Sequence, residues 1–239
     1  MSIGMFSILP VPKKNWDERC LPWAIPWMPV VGGLIGLAWY AVACVTVGWP
    51  PAIQSAAVLL TPFVLSGFLH LDGYMDTADA HFSRRDPDEK KRILKDAHVG
   101  AFAVIALVSL FLLQYCAVET ILTEKKPLVA LLFIPICSRC AAGFMLLRLP
   151  AMAETGFAAM FKQNTGKRHL MFLLGLSLVA LTAATWFGMN VLIASLVVFF
   201  TGGGVMLYLA AWFRGVSGDL CGCAITLSEL FGLLSLSLL

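Results

Sequence analysis

Apolar residues run along this chain in long blocks rather than in the alternation of strands or the one-sided stripes of soluble helices. The blocks cover approximately 26–49, 51–71, 99–122, 127–149, 170–188, 191–213 and 219–239. Each is long enough to cross a bilayer as a helix, which takes about 20 mostly apolar residues. Pro50-Pro51 separates the first two blocks, Pro127 opens the fourth, and Gly188-Met189-Asn190 is a tight turn between the fifth and sixth. The seventh opens on the polar turn Gly218-Asp219. The pattern predicts an all-α, polytopic membrane helical bundle of six to seven transmembrane helices, organised as one domain over 1–239. Gly32-x-x-x-Gly36 in the first block predicts close helix contact, and Gly202-Gly203-Gly204 in the sixth predicts either packing or a weakened helix.

Composition agrees. Of 239 residues, 59% are hydrophobic and 13% charged, against about half and a quarter in an ordinary soluble domain. A formal charge of +3 gives no reason to expect nucleic acid. The N-terminal apolar stretch is short, broken by Pro10 and Pro12, and followed by Lys13-Lys14, which is not the order of a signal peptide. The seven cysteines sit mostly inside apolar blocks, where they act as small hydrophobes.

The basic residues orient the bundle. With the N-terminus in the cytoplasm, fourteen of the seventeen fall on that side: Lys13, Lys14, Arg19, Arg84, Arg85, Lys90, Lys91, Arg92, Lys95, Arg148, Lys162, Lys167, Arg168 and Arg214. Lys125 and Lys126 lie opposite, and Arg139 sits inside a block. A cytoplasmic N-terminus is therefore expected.

The chemistry concentrates where the second block ends. Asp72, Asp76 and Asp79 stand at i, i+4 and i+7, within an arc of about 60° on one helix face and some 10 Å of axis. Three like charges at a membrane edge must be protonated, paired or neutralised by a cation. No Lys or Arg lies between residues 20 and 83. An all-oxygen set suits a hard cation, and Mg²⁺ where phosphates also bind; the competing reading is a solvated acidic helix end paired to Arg84 or Arg85. Asp96, where the chain returns to the same face, is either a fourth oxygen ligand or a helix cap. The run 84–92 reads as a solvated loop and short amphipathic helix, with anion binding as the lesser alternative. Arg139 inside the fourth block must meet a carboxylate, a phosphate or a watery cavity. Glu229 needs a partner, for which Arg139 is a candidate, and Asp219 is either a cap or a functional acid. His70, near Asp72 and on its face, is a candidate acid or base.

Several of these stretches together resemble the cobalamin synthase family, the adenosylcobinamide-GDP ribazoletransferases. The resemblance rests on Phe6-Ser7-Ile8-Leu9-Pro10-Val11-Pro12, on Pro29-Val30-Val31-Gly32-Gly33-Leu34-Ile35-Gly36 and on Leu69-His70-Leu71-Asp72-Gly73 continued by Asp76-Thr77-Ala78-Asp79. Lys95-Asp96, Val99-Gly100-Ala101-Phe102, Ser138-Arg139 and Ser217-Gly218-Asp219-Leu220-Cys221-Gly222 extend it over nearly the whole chain. Three positions depart from the family pattern: Phe68 stands where a second glycine is usual, Ala153 where an arginine is common, and Thr226 where an acidic residue is usual. The resemblance implies a Mg²⁺-dependent enzyme of the cytoplasmic (inner) membrane of a prokaryote, with its active site facing the cytoplasm. It implies the joining of adenosylcobinamide-GDP to α-ribazole or its 5′-phosphate, giving adenosylcobalamin or its phosphate and GMP. On that reading Asp72, Asp76, Asp79 and Asp96 hold metal, the first three and His70 are catalytic, and Arg139, Asp219 and Glu229 bind substrate. The lipid bilayer and other enzymes of cobalamin assembly are the implied partners.

Two rivals share parts of the pattern. A CDP-alcohol phosphotransferase also sets aspartates at helical spacing, but its Asp-Gly-x-x-Ala-Arg is not matched after Asp72-Gly73. A cation-coupled transporter also buries acids, yet it is built from repeated halves with sites near the midplane, whereas these acids gather at one end.

Overall fold

The computed structural model describes residues 1–11, 17–96, 98–163 and 165–239; Lys13 and Lys14 lie outside the described residues. Twelve α-helices are present among them: α1 (Ser2–Phe6), α2 (Leu21–Ala24), α3 (Met28–Val45), α4 (Pro51–Leu65), α5 (Leu69–Phe82), α6 (Pro87–Ile93), α7 (Ala101–Thr123), α8 (Ala130–Arg148), α9 (Phe157–Lys162), α10 (Lys167–Thr185), α11 (Met189–Phe213) and α12 (Gly218–Leu238). Among the described residues there is no strand, only an isolated bridge between Ala151 and Val216.

Six helices, α3, α7, α8, α10, α11 and α12, are long and apolar enough to cross a membrane. Helices suit the bilayer because they satisfy every interior backbone group within the segment. The second apolar block behaves differently. It divides into α4 and α5, which meet at 90°. The corner is Ser66-Gly67-Phe68, where Gly67 (φ 62°) and Phe68 (φ 59°) are both left-handed, and Phe68 N–H donates back to Phe63 O at 2.8 Å. The acidic stretch thus lies on a helix of its own, turned away from α4; the bent pair would make a seventh span only if taken as one.

Helices α8 and α12 form the centre. Of the most apolar 18-residue stretch of each, 72% is buried in both, against 28% in α10, so α10 is peripheral and faces lipid. Small residues set the approach of the helices, as expected where lipid removes the usual hydrophobic drive for association. Gly32 and Gly36 of α3 lie directly on the backbone of α8, where a Cβ at Gly36 would stand 2.6 Å from Leu132 O. Gly202 packs against Ala141 and Ser228, and α11 runs unbroken through its three glycines. Cys137, Cys140, Cys221 and Cys223 are all buried, as small hydrophobes would be.

Helix α5 is held across the start of α12 by two such contacts. Gly73 rests on the backbone of Asp219, and Gly222 rests on the backbone of His70. Thr226 Oγ1 donates to His70 O at 3.1 Å, and Tyr74 Oη donates to Ala106 O of α7 at 3.1 Å. This three-way clamp fixes the acidic helix against the bundle.

Candidate active site

The turn of α5 beyond the corner presents Asp72 exposed and Asp76 and Asp79 half-buried, in line with one helix face directed outward. Asp219 enters from the first turn of α12. Asp72, Asp79 and Asp219 all act electrostatically on Asp76, so four carboxylates share one neighbourhood. None of the four takes part in an ion pair among the described residues, whose salt bridges all lie elsewhere. Asp219 does not cap its helix. Ser217 does, its Oγ accepting from Leu220 N–H at 3.3 Å, and Ser217 also donates to Asp219 Oδ2 at 3.3 Å.

Asp72 and Asp219 open onto a cavity of about 390 Å³, with His70, Lys95, Phe6, Ile25, Met28, Leu146, Met152, Ala153 and residues 155–157 among its walls. The floor is aromatic: Phe157 meets Phe6 edge-on at 6.2 Å and Phe161 at 4.5 Å. The loop carrying Met152, Ala153, Thr155 and Gly156 is tied to the Arg214–Ser217 turn by Met152 N–H donating to Val216 O at 3.0 Å. Sequence reasoning noted this stretch only for its Ala153 departure. Its one signal was a polar break, Glu154-Thr155-Gly156, between two apolar blocks.

The other expected residues fall in different places. His70 reaches the same cavity as Asp72 but from another side of α5, because two positions along a helix are about 200° apart; the expectation of a shared face is corrected. His70 is 6% exposed, and its Nε2 has no hydrogen-bond partner among the described residues. Asp96 stands apart from the four acids. It lies in an exposed loop, where Oδ1 meets His98 Nδ1 at 2.7 Å and accepts from His98 N–H at 3.1 Å, and the His98 contact holds its carboxyl below the usual carboxylate range. Gly100, not Asp96, is the N-cap of α7. Arg139 and Glu229 pair with each other at 2.6 Å, and neither lines the cavity. Ser138 Oγ donates to the same Glu229 oxygen at 2.9 Å.

Among the described residues no three His, Cys, Asp or Glu side chains converge closely enough to enclose a metal ion. Mg²⁺ is usually held by one or two carboxylates with water and substrate phosphates, rather than by a closed protein cage. Four oxygen donors that make no ion pair among the described residues are a donor set that fits it.

The sequence model of the cobalamin-5-phosphate synthase family matches residues 1–237. The chain belongs to that family. A relative from Clostridium perfringens (strain SM101 / Type A), named adenosylcobinamide-GDP ribazoletransferase, is 37% identical over 242 residues, covering 100% of this chain and 96% of its own. One of the same name from Clostridium botulinum (strain Alaska E43 / Type E3) is 33% identical over 238 residues, covering 98% and 94%. A third, from Geobacillus sp. (strain WCH70), is 26% identical over 234 residues, covering 93% and 88%. No solved structure matches this cobalamin-5-phosphate synthase family member.

Proposed function

We propose that this protein joins adenosylcobinamide-GDP to α-ribazole, or to its 5′-phosphate, and releases GMP. The reading is supported by family membership and by the names of the full-length relatives. The observation that carries it is the group of four carboxylates without an ion pair among the described residues, Asp72, Asp76, Asp79 and Asp219, of which Asp72 and Asp219 open onto a cavity that Phe6 and Phe157 also line.

In the reaction a ribose hydroxyl attacks the cobinamide-linked phosphorus. A new P–O bond forms, the P–O bond to GMP breaks, and the hydroxyl proton passes to a base. Asp72, Asp76 and Asp79, with Asp219 beside them, would hold Mg²⁺, which would supply charge neutralisation for the phosphate oxygens and the departing GMP; Asp96, engaged with His98, stays outside that set. The protein's own residues do the rest. Lys95 offers a cation on the cavity wall for an anionic substrate. Phe6 and Phe157 give a flat apolar surface for a planar base. His70, with a free buried Nε2 on that wall, or one of the carboxylates takes the proton.

The expected location is the inner membrane of a prokaryote with the acidic mouth toward the cytoplasm, supported by the bias of basic residues. Purified protein in detergent, given adenosylcobinamide-GDP, α-ribazole and Mg²⁺, should release GMP in step with cobamide product, and release none without the metal. Well-folded protein that releases no GMP with either ribazole form would overturn this reading.

A further inference from the structure

A second polar pocket, sharing no residue with the first, lies where α5 and α6 meet the end of α11. Its walls are His81, Phe82, Arg84, Arg85, Lys90 and Trp212, and its volume is about 390 Å³. His81 is nine positions after Asp72, which puts it about 180° around α5 from the acidic face. His70 on the wall of the first pocket and His81 are eleven positions apart and point in nearly the same direction around α5, so the two pockets lie at different levels, about 16 Å apart along the helix axis.

Lys90 makes this pocket unusual. It is 3% exposed, and its Nζ lies 4.4 Å from the centre of the Trp212 ring. The ion pairs of α6 join Glu89 to Arg85 at 3.9 Å and to Arg92 at 4.0 Å, leaving Lys90 without a carboxylate among the described residues. A buried ammonium is costly unless something negative meets it, and an aromatic face compensates only in part. Further donors surround the gap. Arg84 is set by a left-handed backbone (φ 54°) and has no ion pair among the described residues. His81 Nδ1 is buried without a partner, while His81 Nε2 meets Tyr208 Oη at 3.4 Å. Two arginines, a lysine and a histidine nitrogen around one space are a receptor for phosphate oxygens.

The pocket's position says which phosphate. It sits at the end of a spanning helix, lined by Trp212 and with Tyr208 in contact with its His81, the residue types that mark a membrane–water interface. Above it runs an exposed stripe of α11: Phe200 (69% exposed), Leu207 (49%), Tyr208 (52%) and Trp212 (46%). Gly204, within the stripe, has nothing within 4 Å of where a Cβ would be. The polar end of the track is basic and the rest is an exposed apolar helix surface with open space at Gly204. We propose that this is a headgroup site for an anionic phospholipid from the leaflet on the side of the acidic cluster. The phosphate sits among Lys90, Arg84, Arg85 and His81, and an acyl chain follows the α11 stripe past Gly204. The site is independent of the transferase reading, and an occupied site would fix the α5–α6 corner to the bundle.

The test uses the full-length protein in nanodiscs of phosphatidylcholine, with phosphatidylglycerol or phosphatidylcholine carrying brominated acyl chains introduced in parallel. Quenching of Trp212 is read as the difference between wild type and Trp212→Phe. Brominated phosphatidylglycerol should quench more strongly, and Lys90→Gln should weaken that preference about five-fold, the worth of one basic residue at an anionic surface. Arg84→Gln, whose side chain is exposed, should weaken it similarly and serves if Lys90→Gln does not fold. Equal quenching by the two lipids would overturn the proposal, as would a preference unchanged in both variants. Loss of the preference on adding inorganic phosphate would assign the pocket to a soluble anion and overturn the lipid assignment.

Discussion

Arg139 of α8 and Glu229 of α12 meet at 2.6 Å with side chains 1% and 6% exposed. The carboxylate also accepts from Ser138 at 2.9 Å, and Arg139 Nη1 donates to Pro135 O at 3.1 Å. This joins the two central helices at the level where Gly32 of α3 closes over the Arg139 side chain. In a bilayer-embedded bundle such a pair persists because each charge answers the other.

Removing one partner strands the other. Glu229→Ala should destabilise the folded protein by about 3–5 kcal/mol, read as a lowered midpoint in detergent unfolding. The double variant Arg139→Met/Glu229→Met should regain most of that loss, since two apolar groups need no compensation. A Glu229→Ala protein as stable as wild type would show that the pair does not clamp the bundle.

The acids differ in what they should do. If Asp76 sits among metal-binding carboxylates, Asp76→Asn keeps the shape and lowers cation affinity. Activity at limiting Mg²⁺ should then fall by more than about 100-fold, beyond the usual cost of a supporting residue, with the unfolding midpoint little changed. Asp96, engaged with His98 in an exposed loop, should show a smaller loss as Asp96→Asn. Equal, near-wild-type turnover of both would remove the site assignment.

The spans were legible because long apolar runs leave a helix little alternative in lipid. The Arg139–Glu229 pair was legible for a related reason, since a mid-span charge demands a partner. The corner at 66–68 was not, because Phe68 carries none of the usual marks of a left-handed residue. Nor could the sequence decide whether Asp219 caps α12 or is a functional acid; Ser217, also a good capping type, takes the cap. Asp219 joins the α5 acids only because Gly73 lets the two backbones touch, a three-dimensional fact without a local signature. The lysine–tryptophan pocket was hidden too, as the charge run 84–92 looks like a solvated loop until Lys90 is seen covered by α11.

Phe68 offers a test of that corner. A left-handed non-glycine residue costs roughly 1–2 kcal/mol, partly offset on mutation to glycine by the greater freedom of the unfolded chain. Phe68→Gly should therefore match or exceed wild-type stability by up to about 1 kcal/mol. Phe68→Val, branched at Cβ, should fall below both. The reverse order of unfolding midpoints would mean that position 68 does not adopt the left-handed turn.

Orientation can be read chemically. Asp88 is exposed in the segment between α5 and α7, and the distribution of basic residues leads us to expect that segment in the cytoplasm. Asp88→Cys, in a background with Cys20, Cys44 and Cys116 replaced by serine, should react with an impermeant thiol reagent only after cells are opened. Labelling of intact cells would invert the topology.

Gly100 gives the sharpest separation of site from scaffold. The Asp79 carboxylate lies against Gly100 so closely that any Cβ there would overlap it. The obstacle is the far end of a flexible side chain, so Gly100→Ala should displace the carboxylate rather than break the fold. Gly100 has φ −87° and ψ 169°, an ordinary extended conformation for alanine, and losing glycine as an N-cap costs at most about 1 kcal/mol. The expected result is a modest change in unfolding midpoint with activity down about 10- to 100-fold and a raised Mg²⁺ requirement, as when a supporting residue of a metal site is disturbed. Val99→Ala, at an exposed neighbour, should change neither. Wild-type turnover and metal dependence in Gly100→Ala would mean that Asp79 works equally well wherever it points, and so does not act as a positioned ligand.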